Sequence, residues 1–248
     1  MRHLNRTKLR FPQLWKRCRL ALAPGVGPSG LILRDFSGGK RNGTLSGMSA
    51  AAAWVPNGSR YSLDIAGPGS GQRVVYSDLV VSPPYTYSIW ARARSLAGGG
   101  VTIGGLGYVP FGVPYAMYID STTIYVAGTT FFRGFAFSTA LGIWYNFTCV
   151  VTSAATEMYV NGSLIGSQAT IGNQTFLNLG AQSDNTFNWN GQLDDFAVWD
   201  RRLTTKEIRL RALCRCISYE QVHRQSVLKS GVLLRRSLSA RIGSRSLN

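Results

Sequence analysis

Along most of the chain apolar and polar residues alternate in short runs, with Gly, Pro, Asn or Ser in many of the gaps, which is the pattern of half-buried strands joined by turns. The runs predict strands at 14–23, 31–36, 61–65, 73–76, 86–94, 101–104, 115–119, 123–127, 134–138, 145–153, 157–160, 163–166, 175–179 and 192–199. Asn161-Gly162 stands between Tyr159-Val160 and Leu164-Ile165, a pairing that favours a tight type I′ hairpin. Helix signals are concentrated in one place. Thr204 precedes Glu207 by three residues, so each can satisfy a backbone N–H of the other, and Ile208, Leu210 and Leu213 then supply an apolar stripe. Arg209, Arg211 and Arg215 add positive charge, favourable toward the C-terminal end of that helix. Just before it, Leu193, Phe196, Val198 and Trp199 surround Asp194 and Asp195 in an imperfect alternation that predicts a half-buried closing strand. Many short strands and one short C-terminal helix make the chain all-β, a two-sheet antiparallel sandwich with basic terminal extensions.

Composition narrows this to one large domain. The chain has 248 residues, 45% of them apolar, and its 28 glycines are spread through turns rather than gathered in a linker. No apolar run reaches the length of a membrane-spanning helix. The apolar stretch near the N-terminus, Leu20 to Pro24, is too short for a secretory core, so no export signal is expected. The six Asn-x-Ser/Thr triplets, at Asn5, Asn42, Asn57, Asn146, Asn161 and Asn173, then carry little weight.

Charge is divided unevenly. Residues 1–19 hold seven Lys and Arg and no acid, and 201–248 hold twelve against Glu207 and Glu220; between them eight bases face nine acids. The net charge of +16 therefore belongs to the ends. This predicts a basic N-terminal arm at 1–12, a sandwich at 13–216 and an Arg-rich extension at 217–248. Arg2, Arg6, Lys8 and Arg10 at one end, and Arg235, Arg236, Arg241 and Arg245 at the other, are the candidate anchoring residues for an acidic partner. Residues 228–238 interleave Val, Leu and Arg, as a docking segment would. Nucleic acid is the alternative partner for such tails, and a solubilising role is the plainest one. On this division the neutral body ends at Arg201 and the capped helix is the joint to the tail.

Candidate chemistry is sparse. A glycosidase needs two carboxylates across a sugar, yet residues 20–200 hold one glutamate, Glu157, and no histidine, which also removes Ser-His and Cys-His catalysis. Asp194 and Asp195 are adjacent, so on a regular strand they face opposite sides and cannot act together. A non-catalytic protein is expected, with Asp194 structural. Of the four cysteines, Cys149 reads as a small buried hydrophobe. Cys214 and Cys216 are spaced too closely for a zinc knuckle, and a Cys18–Cys214 disulfide would require pairing of the first and last strands.

Four segments bear a family likeness, in order. They are Asp35, Ser37, Gly38 and Asn42-Gly43-Thr44-Leu45; the strand Tyr87 to Arg92; the strand pair from Trp144 to Tyr159-Val160-Asn161-Gly162; and Gly191, Leu193, Asp194, Asp195, Arg201, Leu203, Thr204, Glu207 and Ile208. Together they resemble the laminin-G-like, concanavalin A-like lectin jelly-roll domains over roughly 18–213. The resemblance implies a jelly roll whose first strand lies beside the closing one. It implies calcium as the ion to look for, with Asp184 and Asn185, and secondarily Asp78, as candidates. Turn chemistry accounts for the Asp-Asn pair equally well, and the sequence lacks the family's Asp after the strand at Ile65-Ala66-Gly67. It also directs attention to loop aromatics that can stack on a sugar or meet a partner: Tyr108, Phe131, Phe132, Phe187 and Trp189.

A lectin-like sandwich between Arg-rich ends is similar to proteins of tailed-phage structural gene clusters. The expected role is therefore a virion component, a capsid decoration or surface protein. It would assemble as a homo-oligomer with other capsid proteins, hold host surface glycans and stay off membranes. A free-standing carbohydrate-binding protein is the alternative.

Overall fold

In the computed structural model the described residues are 11–96, 101–106, 115–128, 131–181 and 187–213, with no side chains described for 101–106 and 115. The chain enters through a 3-10 turn, Pro12–Trp15, and runs through β1 (Cys18–Leu22), β2 (Ile32–Leu33), β3 (Gly43–Ser46) and a four-residue helix α1 (Ala50–Ala53). β4 (Trp54–Asn57), β5 (Arg60–Ala66), β6 (Arg73–Val81), β7 (Tyr85–Ala93), β8 (Val101–Leu106) and β9 (Tyr115–Ile119) follow. Then come β10 (Thr123–Ala127), β11 (Phe132–Ala136), β12 (Trp144–Val151), β13 (Ala155–Val160), β14 (Ser163–Ala169), β15 (Gln174–Leu179), β16 (Asn190–Trp199) and α2 (Thr205–Leu213).

The strands form two antiparallel sheets. The first has the order β14-β13-β12-β7-β16-β5-β4, with β1 also on β16; the second has β11-β10-β9-β8-β15-β6-β3-β2. They pack face to face over one core, to which the first sheet gives Ile89, Phe147, Cys149, Leu193, Phe196 and Val198, and the second Val74, Met117, Ile124, Val126 and Phe176. Each large aliphatic or aromatic side chain buried there contributes about 1.5–3 kcal/mol. Along one side the sandwich is stitched shut between edge strands, where Gln168 of β14 donates to the Gly134 carbonyl and Arg133 of β11 donates to Ala169 O at 3.0 Å. This is the all-β jelly-roll sandwich expected.

A second, smaller core lies on the outer face of the first sheet. Leu14, Ala21, Val150, Tyr159, Ala197, Trp199, Leu203 and Ile208 bury one another beneath α2. β16 is consequently covered on both faces and buried from Gly191 to Trp199, not half-buried as the alternation predicts. β1 does lie against it, Ala21 opposite Ala197 and Leu22 opposite Phe196.

Other local expectations are corrected. The predicted strand 14–23 is a 3-10 turn followed by β1, because Pro12 opens the turn and Arg17 takes φ +57°. The stretch 31–36 forms a strand only at Ile32–Leu33; beyond it Asp35 makes a single bridge to Leu22 and organises a loop. Its carboxylate accepts from the backbone N–H of Ala21, Ser37 and Arg41, and its own N–H donates to Asn42 Oδ1 at 2.9 Å. β3, β4 and α1 are additional elements, short enough to escape a periodicity reading. The hairpin at Asn161-Gly162 has the positive φ at both residues, +50° and +79°, that a type I′ turn requires.

Candidate functional site

Site geometry follows from the register of the second sheet. Tyr118 of β9 lies opposite Tyr125 of β10, and Tyr125 opposite Gly134 of β11. Paired residues point to one side of a sheet. Their strand neighbours Met117, Ile119, Ile124, Val126 and Phe135 are buried in the core, so Tyr118, Tyr125 and Gly134 face outward. The absence of a side chain at Gly134 matters: a Cβ there would stand 3.2 Å from the Tyr125 ring, which lies over the glycine. The two tyrosine rings are 5.8 Å apart. Phe187 arrives from the far end of the β15–β16 connection and sets its ring edge-on to Tyr118 at 6.2 Å. Its backbone is left-handed, φ +48°, and its ring is 41% exposed. A bulky residue held there is strained, a feature that concentrates at binding sites.

Phe132 stands two residues before Gly134 and therefore on the same outward face, 52% exposed. Phe131 is 50% exposed beside it, with the Arg133 guanidinium 5.1 Å from its ring centroid. Val75 and Val80 of β6 are also exposed on this sheet. An apolar and aromatic sheet face open to solvent is the kind of surface that takes a ligand. Hydroxyls come from the tyrosines, and from Thr123 where Asp120 Oδ1 accepts the N–H groups of Thr122 and Thr123 and closes the β9–β10 turn. Burial, with Asp120 and Tyr125 nearby, raises the Tyr118 phenol, keeping it a neutral donor.

Of the aromatics singled out in the sequence, the structure brings Phe131, Phe132 and Phe187 to this sheet. Both members of the Phe131-Phe132 pair are exposed, because Phe131 precedes the strand. Trp189 is a correction: it is 1% exposed and part of the core. The chain turns at Phe187 so that one ring points out and the other in, and Trp189 N–H donates to Gly180 O at 2.7 Å. Tyr108 lies outside the described residues, as do Asp184, Asn185, Cys214, Cys216, Arg2, Arg6, Lys8, Arg10, Arg235, Arg236, Arg241 and Arg245. Asp78 is exposed on β6. Tyr118 and Tyr125 were missed by sequence reasoning. Their signal was present, an aromatic hydroxyl between two buried aliphatics in each strand, but only the register makes them neighbours.

The carboxylates take structural places. Glu157 accepts from Arg202 at 2.8 Å and from the Tyr159 hydroxyl at 2.8 Å. Asp195 has φ +51° in a register break between Asp194 and Ala197, a β-bulge that changes the strand's facing. Adjacency therefore does not send the two aspartates to opposite sides. Both turn to the outer face, where Asp194 meets Arg60 at 3.7 Å and Asp195 meets Arg211 at 2.7 Å. Arg211 is fully buried and no part of a charged helix surface. Near the ends, Arg17 and Arg19 hold Asp200, and Arg201 holds Glu207. The folded body thus does not stop at Arg201; several terminal bases are internal partners, and α2 packs on the domain.

A family model described as the concanavalin A-like lectin/glucanases superfamily matches residues 68–209, more than half of the chain. The chain belongs to that superfamily. Among solved structures, this superfamily member is similar to domain 4 of AbnA, an extracellular arabinanase from Geobacillus stearothermophilus, in complex with arabinotriose. That match has 19% identity and TM-score 0.58, covering 79% of this chain and 99% of that domain. It is also similar to the binding domain of Paraclostridial Mosquitocidal Protein 1 (16%, TM-score 0.59, 81% of this chain and 52% of that one). A third is Trypanosoma rangeli sialidase (14%, TM-score 0.56, 80% and 33%), so the chain spans about half of the toxin domain and a third of the sialidase. At these identities the likeness is one of fold. Among curated proteins no sequence matches the chain.

Proposed function

We propose that this is a non-catalytic, lectin-like binding protein that holds a glycan against the outward face of its second sheet, and that its basic ends anchor it in a larger assembly, a virion. The observation that carries the reading is the outward row of Phe187, Tyr118 and Tyr125, strained at Phe187 and cleared at Gly134. Sugar C–H faces stack on such rings, while the tyrosine hydroxyls hold the ring oxygens and hydroxyls. Absence of catalysis is supported by the commitments of the carboxylates, since Glu157, Asp194 and Asp195 each face an arginine and residues 20–200 have no histidine. The arabinotriose in the arabinanase domain and the binding role in the toxin's name are consistent with a sugar-holding use of this fold.

The anchoring half rests on charge. Arg17, Arg19, Arg201, Arg202 and Arg211 are paired inside the domain, and of the net +16 the segments 1–10 and 214–248 carry +4 and +6 in only 45 residues, against +6 over 11–213. Two measurements on the full chain test the reading. A glycan array is expected to give hits on neutral oligosaccharides that fade in Tyr118→Ala and Phe187→Ala; a flat array sinks the glycan half. Sedimentation from host lysate is expected to find a homo-oligomer with larger particles, released when Arg235, Arg236, Arg241 and Arg245 are changed to Ser. A chain that sediments alone, with or without those changes, overturns the anchor.

A further inference from the structure

The outer face of the first sheet carries a second arrangement, away from the aromatic row. Trp144, Arg92, Gln192 and Asp64 lie opposite one another in register across β12, β7, β16 and β5. Where β7 and β16 end, a cleft of about 170 Å³ is lined by Arg92, Ala93, Arg94, Gly142, Gly191 and Gln192. Space of this size is on the scale of one sugar ring. Arg94 is committed, donating to Asn190 Oδ1 at 3.1 Å and pairing with Asp64. The other nearby carboxylate, Asp194, faces Arg60. Arg92 is different. The residue is half-buried, and its guanidinium lies 5.5 Å from the Trp144 ring centroid with no carboxylate partner among the described residues. Beside it Gln192 is 7% exposed, and its Oε1 is buried without a donor.

Two unmet demands meet in the cleft. A guanidinium stacked on an indole keeps its N–H edge free for a planar anion and favours a carboxylate. A buried amide oxygen that has lost water costs free energy until a donor arrives. Sulfate and phosphate diesters offer only acceptors, whereas a carboxylate-bearing pyranose offers an anion and neighbouring hydroxyls within one ring. We propose that this cleft binds an acidic saccharide, with Arg92 taking the sugar carboxylate and Gln192 a ring hydroxyl. The site is on the opposite sheet from the aromatic row and stands or falls separately from it.

Calorimetry on the full chain at about 150 mM salt compares trigalacturonate, sialyllactose, a neutral galactotriose and a tetraglutamate peptide. Binding of at least one acidic saccharide is expected, and which one tells uronate from sialate. Arg92→Gln or Gln192→Leu is expected to weaken it about tenfold or more while leaving neutral-glycan binding unchanged. Tyr118→Ala is expected to do the reverse. Because the basic ends also attract polyanions, a second reading is taken on the unaltered protein. Phenylglyoxal modification of Arg92, followed by peptide mass spectrometry, is expected to slow when the acidic saccharide is present. No binding of either acidic saccharide, affinity unchanged in both variants, or an unprotected Arg92 overturns the proposal. Tetraglutamate bound as tightly through Arg92 overturns its sugar specificity.

Discussion

The guanidinium of Arg211 in α2 lies 2.7 Å from the carboxylate of Asp195 in β16, with both side chains buried. It also donates to the Asp195 carbonyl and sits 5.5 Å from the Trp199 ring centroid, while the Arg211 carbonyl accepts from Trp90 Nε1 at 3.2 Å. One side chain thus fastens the C-terminal helix to the bulge of the central strand. Buried pairs of this kind add little net stability over an apolar replacement of both partners, but removing one partner strands the other. Arg211→Ala is therefore expected to cost about 3–5 kcal/mol, read by urea unfolding, whereas Asp195→Leu/Arg211→Met should cost less than the single change. A single change costing under 1 kcal/mol would show that the helix is not fastened here.

Acid should loosen the same corner by another route. Burial works to raise Glu207, but the hydrogen bonds from Arg201 and from Thr204 N–H, at 2.8 Å, outweigh it and hold the carboxyl below its ordinary 4.5. Asp200 likewise is raised by burial and lowered more by Arg19 and Arg17, to below 3.8. A depressed carboxyl contributes stability that is fully present above its unfolded value and is lost as pH falls through its folded value. Stability measured between pH 6 and pH 2 is expected to fall below about pH 4.5, and Glu207→Gln should flatten that fall.

The cap itself is modest. Glu207 N–H donates to Thr204 Oγ1 at 3.3 Å, completing the reciprocal pair, so Thr204→Ala is expected to lose about 1 kcal/mol in the same assay. Gly162 should be less forgiving. Its φ is +79°, and a Cβ would stand 3.1 Å from Arg209 Cα and 3.2 Å from Ala212 Cβ. Gly162→Val is expected to cost more than about 1 kcal/mol and to expose α2 to proteolysis, while Asn161→Gly leaves the hairpin intact.

Phe187 and Trp189, two residues apart, should separate cleanly. Phe187→Ala is expected to weaken glycan binding about tenfold or more with unfolding little changed, since alanine keeps the Cβ that its left-handed backbone disfavours. Trp189→Ala is expected to lose about 3–5 kcal/mol of stability. Both variants losing only stability would remove the aromatic row as a binding site.

Cys149 tests the main core. Burial pushes its thiol up to about 12, so iodoacetamide at pH 8 should leave it unmodified in the native protein and label it on unfolding. Prompt native labelling would mean that the core between the sheets opens locally.

Fold class was legible because it rests on short-range periodicity. Alternation in Thr123 to Ala127 marks a strand of those residues, the Asn161-Gly162 turn fixes its own hairpin, and the Thr204-Glu207 pair starts its own helix, each within a few residues. Most of the site was not legible in this way. Tyr118 and Tyr125 become a pair only through antiparallel register, and Trp189 is buried because the backbone reverses at Phe187. Arg211 reads as surface charge until a bulge sixteen residues earlier presents Asp195 to it.

The amino-acid sequence alone determined an all-β sandwich with a capped C-terminal helix and positively charged ends, because turn chemistry, alternation and net charge are local or additive properties. The tertiary structure decided which charges are spent inside the domain, which aromatics reach solvent and which face of each strand is covered. Those outcomes depend on bulges, register and packing between residues far apart in the chain, where shifting a strand by one position exchanges its buried and exposed sides.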